Sequence, residues 1–360
     1  MNSINETVGA VPANQANRYA HIDAMRALAV SVVVVGHAGV SFMPGDAGVT
    51  VFFVISGFII TTVLLREREK TGGFAFWHFY ARRALKLAPP FIVAILIPTI
   101  IYGLFHPLNP LAVLSQIFFS YNWVQIYQPE IAGDILPGSG VVWSLAVEEQ
   151  FYIVFAIVWI LLVRSRHWLI SLFTLSVVGI TYSTIIRISY LGDLDVSHFR
   201  GTDARLDAIA WGILAALAFY KFSSSMRFRV LGNDWILFGA LALLLGSFAI
   251  PGREFEMTTR YSIHAIAAAL LILYGMIPTT TRVKKVFYRA ASLKWIGVVG
   301  LASYSIYILH DVLIKGIEAV TASPFIDNPV SLSVLGLIAG ITMYFLVEIP
   351  SLKLKKRLGL

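Results

Sequence analysis

An arginine and a histidine stand eleven residues apart in the run Asp23-Ala-Met-Arg26-Ala-Leu-Ala-Val-Ser-Val-Val-Val-Val-Gly36-His37. Eleven residues are close to three helical turns, so on a helix Arg26 and His37 share a face, about 16 Å apart along the axis. This spacing puts His37 past the middle of a bilayer, where an imidazole is costly unless it is paired. It is either held by a carbonyl of a neighbouring helix or placed there as a base. A second group opens another apolar run: Trp143-Ser144-Leu-Ala-Val-Glu148-Glu149-Gln150. Helix-capping chemistry accounts for one glutamate. Two glutamates plus a glutamine point to a water-filled site, in which Glu148 or Glu149 could orient His37. A third group is basic: Arg82, Arg83 and Lys86, the last two one turn apart. It suits an anionic ligand such as a nucleotide phosphate, or equally the anchoring of a loop against lipid headgroups.

Three further stretches hold polar residues in apolar surroundings. Ser56-Gly57 reads as a close-packing pair rather than as a serine nucleophile. Arg205-Leu-Asp207, with Gly212 beyond, forms either an ion pair at an outer mouth or an intrahelical or interhelical structural pair. Tyr304 and His310, in Ser303-Tyr304-Ser-Ile-Tyr307-Ile-Leu-His310-Asp311, supply a second base, a substrate contact or an aromatic belt. Glu348 and Pro350 read as structural. The eight histidines show no metal-ligand spacing and there is no cysteine, so no metal site, thiolate nucleophile or disulfide is expected.

The elements that must position these residues are membrane helices. Of the 360 residues, 58% are hydrophobic and 13% charged, against about 25% charged in soluble domains, and mean hydropathy is +0.76. The expected fold is an all-α polytopic membrane bundle of about ten transmembrane helices, at 27–43, 49–65, 89–105, 142–163, 169–186, 205–220, 235–250, 261–277, 296–314 and 331–349. Residues 111–126 read as interfacial or re-entrant. With this count, 22 of the 28 Lys and Arg fall on one side. The positive-inside rule then makes both termini cytoplasmic and puts His37 in the outer half of the first span. The net charge of +8 therefore reports orientation rather than a nucleic-acid partner. Residues 1–20 form a polar cytoplasmic tail with no signal-peptide core, 21–352 the membrane domain, and 353–360 a basic tail. No loop is long enough to fold as a soluble domain, and no inverted repeat of the transporter kind is visible.

Taken together, in order, these stretches resemble the acyltransferase-3 family of integral membrane acyltransferases. The matching pieces are Asp23…Arg26…His37, Gly48 to Thr61, Phe79-Tyr80-Ala-Arg82-Arg83, Trp143-Ser-Leu…Glu148-Glu149-Gln-Phe-Tyr152, Arg205-Leu-Asp207…Gly212 and Ser303-Tyr304…His310. The resemblance implies transfer of an acyl group, usually acetyl, from cytoplasmic acetyl-CoA or another acyl-CoA. The acceptor would be a hydroxyl of an extracytoplasmic or lipid-linked glycan, or of a small-molecule glycoside. It implies a multi-pass protein of the bacterial inner membrane, in contact with lipid and compatible with a homo-oligomer. His37 and Arg26 take the places of the family's essential histidine and its arginine. Arg83 and Lys86 take those of two arginines three apart, with lysine lacking the bidentate fork. Asp23, Ser56, Trp143, Arg205, Asp207, Tyr304 and His310 are then expected around the substrate. Many members carry an esterase-like domain, which this sequence lacks, so the membrane domain is expected to act alone or with a partner. The competing class is a proton-coupled transporter or glycolipid flippase using intramembrane His and Glu.

Overall fold

The computed structural model describes residues 19–40, 42–191, 196–321, 323 and 326–357, and among these every regular element is helical. Most of the expected N-terminal tail (1–18) and the last three residues lie outside the described residues, while Ile349–Arg357 continues the final helix. In chain order the main helices are α1 Ala20–His37, α2 Gly45–Thr71, α3 Phe76–Gly103, α4 Ser139–Leu162, α5 Trp168–Ser189, α6 Thr202–Phe222, α7 Asp234–Ala249, α8 Thr259–Met276, α9 Lys294–Leu301, α10 Ser303–Val320 and α11 Pro329–Leu354. Seven of them (α1 to α5, α8 and α11) are long and apolar enough to cross a membrane. The pair α9 and α10, bent by 69°, makes an eighth. The expected count of ten is therefore not reached by length and composition. Residues 205–220 and 235–250 are helical, but α6 carries Asp203, Arg205 and Asp207 in its first turns and α7 is short.

Two boundaries differ from expectation in ways that matter for chemistry. The first helix begins at Ala20 and ends at His37, because Gly39 adopts φ +101° and turns the chain. His37 thus stands exposed in the last turn of α1 rather than inside a span that runs on to residue 43. Residues 111–126 are two short helices, Pro110–Ile117 and Tyr121–Tyr127, broken at Phe119, which adopts φ +54°. Gln150 pegs this broken pair to α4. Its amide donates to Phe119 O (2.7 Å) and Asn122 Oδ1 (2.9 Å), and its carbonyl oxygen accepts from Trp123 Nε1 (3.0 Å) and Thr202 Oγ1 (2.6 Å). The glutamine is therefore a structural tie and not part of a water-filled site.

Small residues set the closest helix approach. A Cβ added at Gly57 would lie 2.1 Å from Ile209 O, and one at Gly212 would lie 2.1 Å from Val54 O. The two glycines face one another across α2 and α6 and let the backbones touch. Ser56, next to this contact, reaches α4 and donates to Glu148 Oε1. Two wide π-helical turns, Ile92–Leu96 in α3 and Tyr344–Glu348 in α11, each end two residues before a proline, Pro98 and Pro350. A proline ring removes a helix hydrogen bond and widens the preceding turn. The second wide turn carries Glu348, buried and accepting from Ser305 Oγ at 2.7 Å, the structural role expected of it.

Outside the spans, Lys284 on the helix Arg282–Ala291 is fully buried. It donates to the Tyr274 carbonyl, with its ammonium 3.3 Å from the Tyr274 ring centre. Burial pushes its pKa down from 10.5 to about 8, against the opposing pull of the Asp234 carboxylate. The unfolded chain then binds more protons than the folded one between about pH 8 and 10.5, so this group makes stability rise with pH across that window. The melting temperature of Lys284→Met, relative to wild type, should accordingly be higher at pH 7 than at pH 10. A constant difference between the two pH values would refute the assignment.

Candidate active site

The two histidines singled out by type meet. His310 Nε2 lies 2.9 Å from His37 Nδ1, with the rings 5.0 Å apart between centroids. His310 is fully buried in α10, and its Nδ1 lies 2.7 Å from Tyr307 O and 3.2 Å from Ile306 O. Carbonyl oxygens only accept, so a neutral His310 carries its proton on Nδ1 and offers a lone pair at Nε2. A neutral His37 then donates from Nδ1 and keeps its lone pair on Nε2. This backbone-anchored relay fixes the tautomer of a ring that stands exposed at the end of its helix. Neither glutamate touches His37, so the expectation that Glu148 or Glu149 orients it is corrected: the orienting group is a second imidazole.

His37 faces a polar cavity of about 360 Å³, which Trp143, Asp46, Arg200, Tyr261, Arg260 and His264 also line. Tyr261 donates to Asp46 Oδ2 at 3.3 Å. The Trp143 ring lies 5.7 Å from the Arg200 guanidinium and 5.8 Å from that of Arg205. Arg205 sits behind this wall, donating to Thr50 Oγ1 at 3.1 Å and lying 4.0 Å from the Tyr261 ring centre. It does not pair with Asp207. The buried partner of Asp207 is Arg187, at 2.8 Å, so of the expected alternatives the structure has an interhelical structural pair, and Arg205 is not part of it. The reason is geometric: residues two apart on a helix point to different faces.

A second cavity, of about 190 Å³, lies toward the other end of α1. It is lined by Arg26, Arg83, Lys86, Ser56, Glu148 and Tyr304 among others. Tyr152 donates to Ser56 Oγ (2.7 Å), and Ser56 donates to Glu148 Oε1 (2.9 Å). Arg83 forms an ion pair with Glu149 and stacks on Tyr152, with its guanidinium 3.5 Å from the ring centre. Arg26 donates to Ser303 Oγ (3.0 Å), and Tyr304 donates to Leu87 O (2.9 Å). The lining carries three cations and one carboxylate, and one of the cations, Arg83, is already paired with Glu149 behind it. Val49 and Tyr307 line both cavities and form the partition between them. The Tyr307 hydroxyl shares a hydrogen bond with Ser144 Oγ at 2.6 Å, and its ring packs edge-on to Phe52.

The structure thus gathers Arg26, Ser56, Arg83, Lys86, Glu148 and Tyr304 in one chamber and His37 and Trp143 in the other. His310 and Glu149 stand behind these walls, each holding a lining residue. Arg82 pairs with Glu67 at 3.9 Å and lines neither chamber. Asp23 is buried where α9 crosses α1, its carbonyl 2.1 Å from a Cβ added at Gly300, and it also lines neither. Asp46, Arg200, Tyr261, Arg260 and His264 escaped the sequence reading. Arg200 and Arg260 were visible only as two of six basic residues on the side poor in positive charge. Among the described residues no group of three His, Asp or Glu side chains converges as a metal-ion site would need.

Comparison with known proteins adds the family. The O-acetyltransferase OatA of Staphylococcus aureus strain NCTC 8325 is 28% identical over 305 residues, covering 80% of this chain and 49% of its own length. OatA of strain COL gives the same figures. A provisionally named O-acetyltransferase of strain COL is 26% identical over 368 residues, 95% of this chain and 58% of its own. The chain therefore spans about half the length of the curated relatives it matches. No solved structure matches it. The acyltransferase-3 family, described as an acyltransferase domain, matches residues 19–348. With that match running through both chambers and every helix around them, this multi-pass membrane protein belongs to the acyltransferase-3 family.

Proposed function

We propose that the protein is a membrane O-acetyltransferase that draws acetyl from acetyl-CoA on the cytoplasmic side and delivers it to a hydroxyl of a glycan or glycolipid on the other. The observation that carries this reading is the tautomer-fixed His37, standing in a polar chamber one partition away from a basic one. At about 190 Å³ the basic chamber is below the roughly 300 Å³ at which pockets for drug-sized ligands begin. It suits a thin thioester arm, with the nucleotide left at the mouth and its phosphates drawn by Lys86, Arg83 and Arg26. The polar chamber, with Trp143 for stacking and Asp46, Arg200 and Arg260 for hydroxyl contacts, suits a sugar.

In the transfer, His37 Nε2 takes the proton of the acceptor hydroxyl as that oxygen attacks the acyl carbonyl. The C–O bond forms, the C–S bond breaks, and the departing thiolate recovers the proton from His37. His310 is a positioning residue. His310→Leu should lower kcat about 100-fold with KM little changed. His310→Gln, whose amide oxygen can still accept from His37 Nδ1, should recover a large part of that loss. Equal damage by both variants would leave His310 a merely structural role.

Binding of acetyl-CoA separates this reading from a transporter, which needs no basic chamber. The Kd of purified protein for acetyl-CoA should rise about tenfold in Lys86→Ala. No measurable binding by wild type would defeat the proposal. Glycan NMR on a strain lacking the protein should show a missing O-acetyl signal.

A further inference from the structure

The helix Arg282–Ala291 joins α8 to α9 and has two unlike faces. Residues 277–281 link it to α8 and residues 292–293 to α9, so both its ends are tied to apolar helices of the bundle. Two residues reach at most about 7 Å, which keeps Ala291 beside the start of α9. Trp295, exposed there, is the kind of residue that marks the membrane–water interface. The helix is thereby held near the depth of the lipid headgroups.

The inner face is pinned to the bundle. Lys284 donates to the Tyr274 carbonyl, and Tyr288 donates to the Gly275 carbonyl at 2.6 Å. The Phe287 ring lies 5.2 Å from that of Tyr274 and 6.3 Å from that of His21 on α1. The outer face is basic. At about 100° per residue, Arg282, Lys285 and Arg289 fall within an arc of about 60°. All three are exposed, and among the described residues none of them is in an ion pair. The sequence has no Asp or Glu between Glu256 and Asp311. Asp234, near the helix start, accepts from the Thr281 and Tyr274 hydroxyls, each at 2.9 Å. Chain orientation needs basic residues on one side of the membrane, but not three of them on one stripe of one helix.

Apolar side chains stand exposed beside these cations. Val286 is 64% exposed on the helix, and Leu293 and Trp295 just beyond it are 41% and 65% exposed. A soluble anion would neutralise the arginines and lysine and leave this apolar surface in water. A molecule with both a charged phosphate and a hydrocarbon chain satisfies the two together. We infer that the outer face of this helix is a docking site for anionic phospholipid. Its three cations meet the headgroup phosphates, and Val286, Leu293 and Trp295 lie against the upper part of the acyl chains.

The test uses the purified full chain in a nonionic detergent, with equal amounts of phosphatidylglycerol and phosphatidylcholine carrying the same acyl chains. Mass spectrometry of lipid extracted from the repurified protein reads how much of each stays bound. Wild type should retain the anionic lipid about tenfold over the zwitterionic one. That preference should fall to about twofold when salt is raised from about 0.05 to about 0.5 M. The triple variant Arg282→Gln, Lys285→Gln, Arg289→Gln should lose it. The triple variant Arg164→Gln, Arg166→Gln, Arg227→Gln, which removes exposed basic residues from two other loops, should keep it. The docking site is overturned if wild type shows no preference, or if the first triple variant retains it. Equal loss in both triple variants also overturns it, since positive charge anywhere at that end would then suffice. If the first variant keeps its lipid preference and binds acetyl-CoA more weakly, the face belongs to the nucleotide instead. A preference in wild type that salt does not weaken overturns the inference without any variant.

Discussion

Replacing His37 with alanine should lower kcat for acetyl transfer about 1000-fold, within the span that a positioned general base contributes. The same variant should bind acetyl-CoA with an unchanged Kd, because His37 faces the polar chamber and not the basic one. The two readouts together distinguish loss of chemistry from loss of fold. The assay is transfer of labelled acetyl from acetyl-CoA to extracted glycan by purified protein. A rate within tenfold of wild type would remove His37 from the chemistry and leave the His37–His310 pair as packing. Label retained on wild-type protein in the absence of glycan, and missing from His37→Ala, would add an acyl-imidazole stage to the direct transfer described above.

Arg187→Ala should destabilise the protein by about 3 to 5 kcal/mol, the usual cost of stripping one partner from a buried ion pair. Arg187 and Asp207 are 0% and 1% exposed and 2.8 Å apart. Arg187 also donates to Ala204 O at 2.6 Å and Ser262 Oγ at 2.8 Å, tying α5, α6 and α8 together. Removing the arginine leaves the Asp207 carboxylate with Ser262 alone as a side-chain donor, at 3.0 Å. The double variant Arg187→Met with Asp207→Leu should recover most of the loss, since no charge is then stranded. Thermal unfolding of the three proteins in one detergent measures this. An Arg187→Ala protein as stable as wild type would show that the pair carries no net weight.

How much of this was legible in the sequence depended on the range of the signal. Hydropathy runs gave the all-helical membrane class. The eleven-residue interval predicted that Arg26 and His37 share a face of α1, because helical periodicity is local. The small pair at Ser56-Gly57 was read as a close-approach site, and Gly57 indeed faces Gly212. What failed was anything requiring a partner from far along the chain. His310 lies 273 positions from His37, and no spacing rule connects them. For Asp207 the sequence left intrahelical and interhelical partners open, and only the fold brings Arg187 of the preceding helix to it. Gln150 was grouped with the glutamates beside it, but successive residues on a helix face different neighbours, so it points at the broken helix pair instead. The end of α1 was placed six residues late because the apolar run continues past Gly39, where the backbone, not hydropathy, stops the helix.

Tyr307 does two jobs with two different atoms. Its ring helps wall one chamber from the other, while its carbonyl, at 2.7 Å, is the shorter of the two anchors for the His310 proton. A rotation of α10 large enough to swing the ring aside would also move that carbonyl and slacken the grip on both imidazoles. Passage and basicity are therefore mechanically linked. For the transfer proposed above, the ring must therefore swing on its own side-chain torsions while α10 and its carbonyls stay in place.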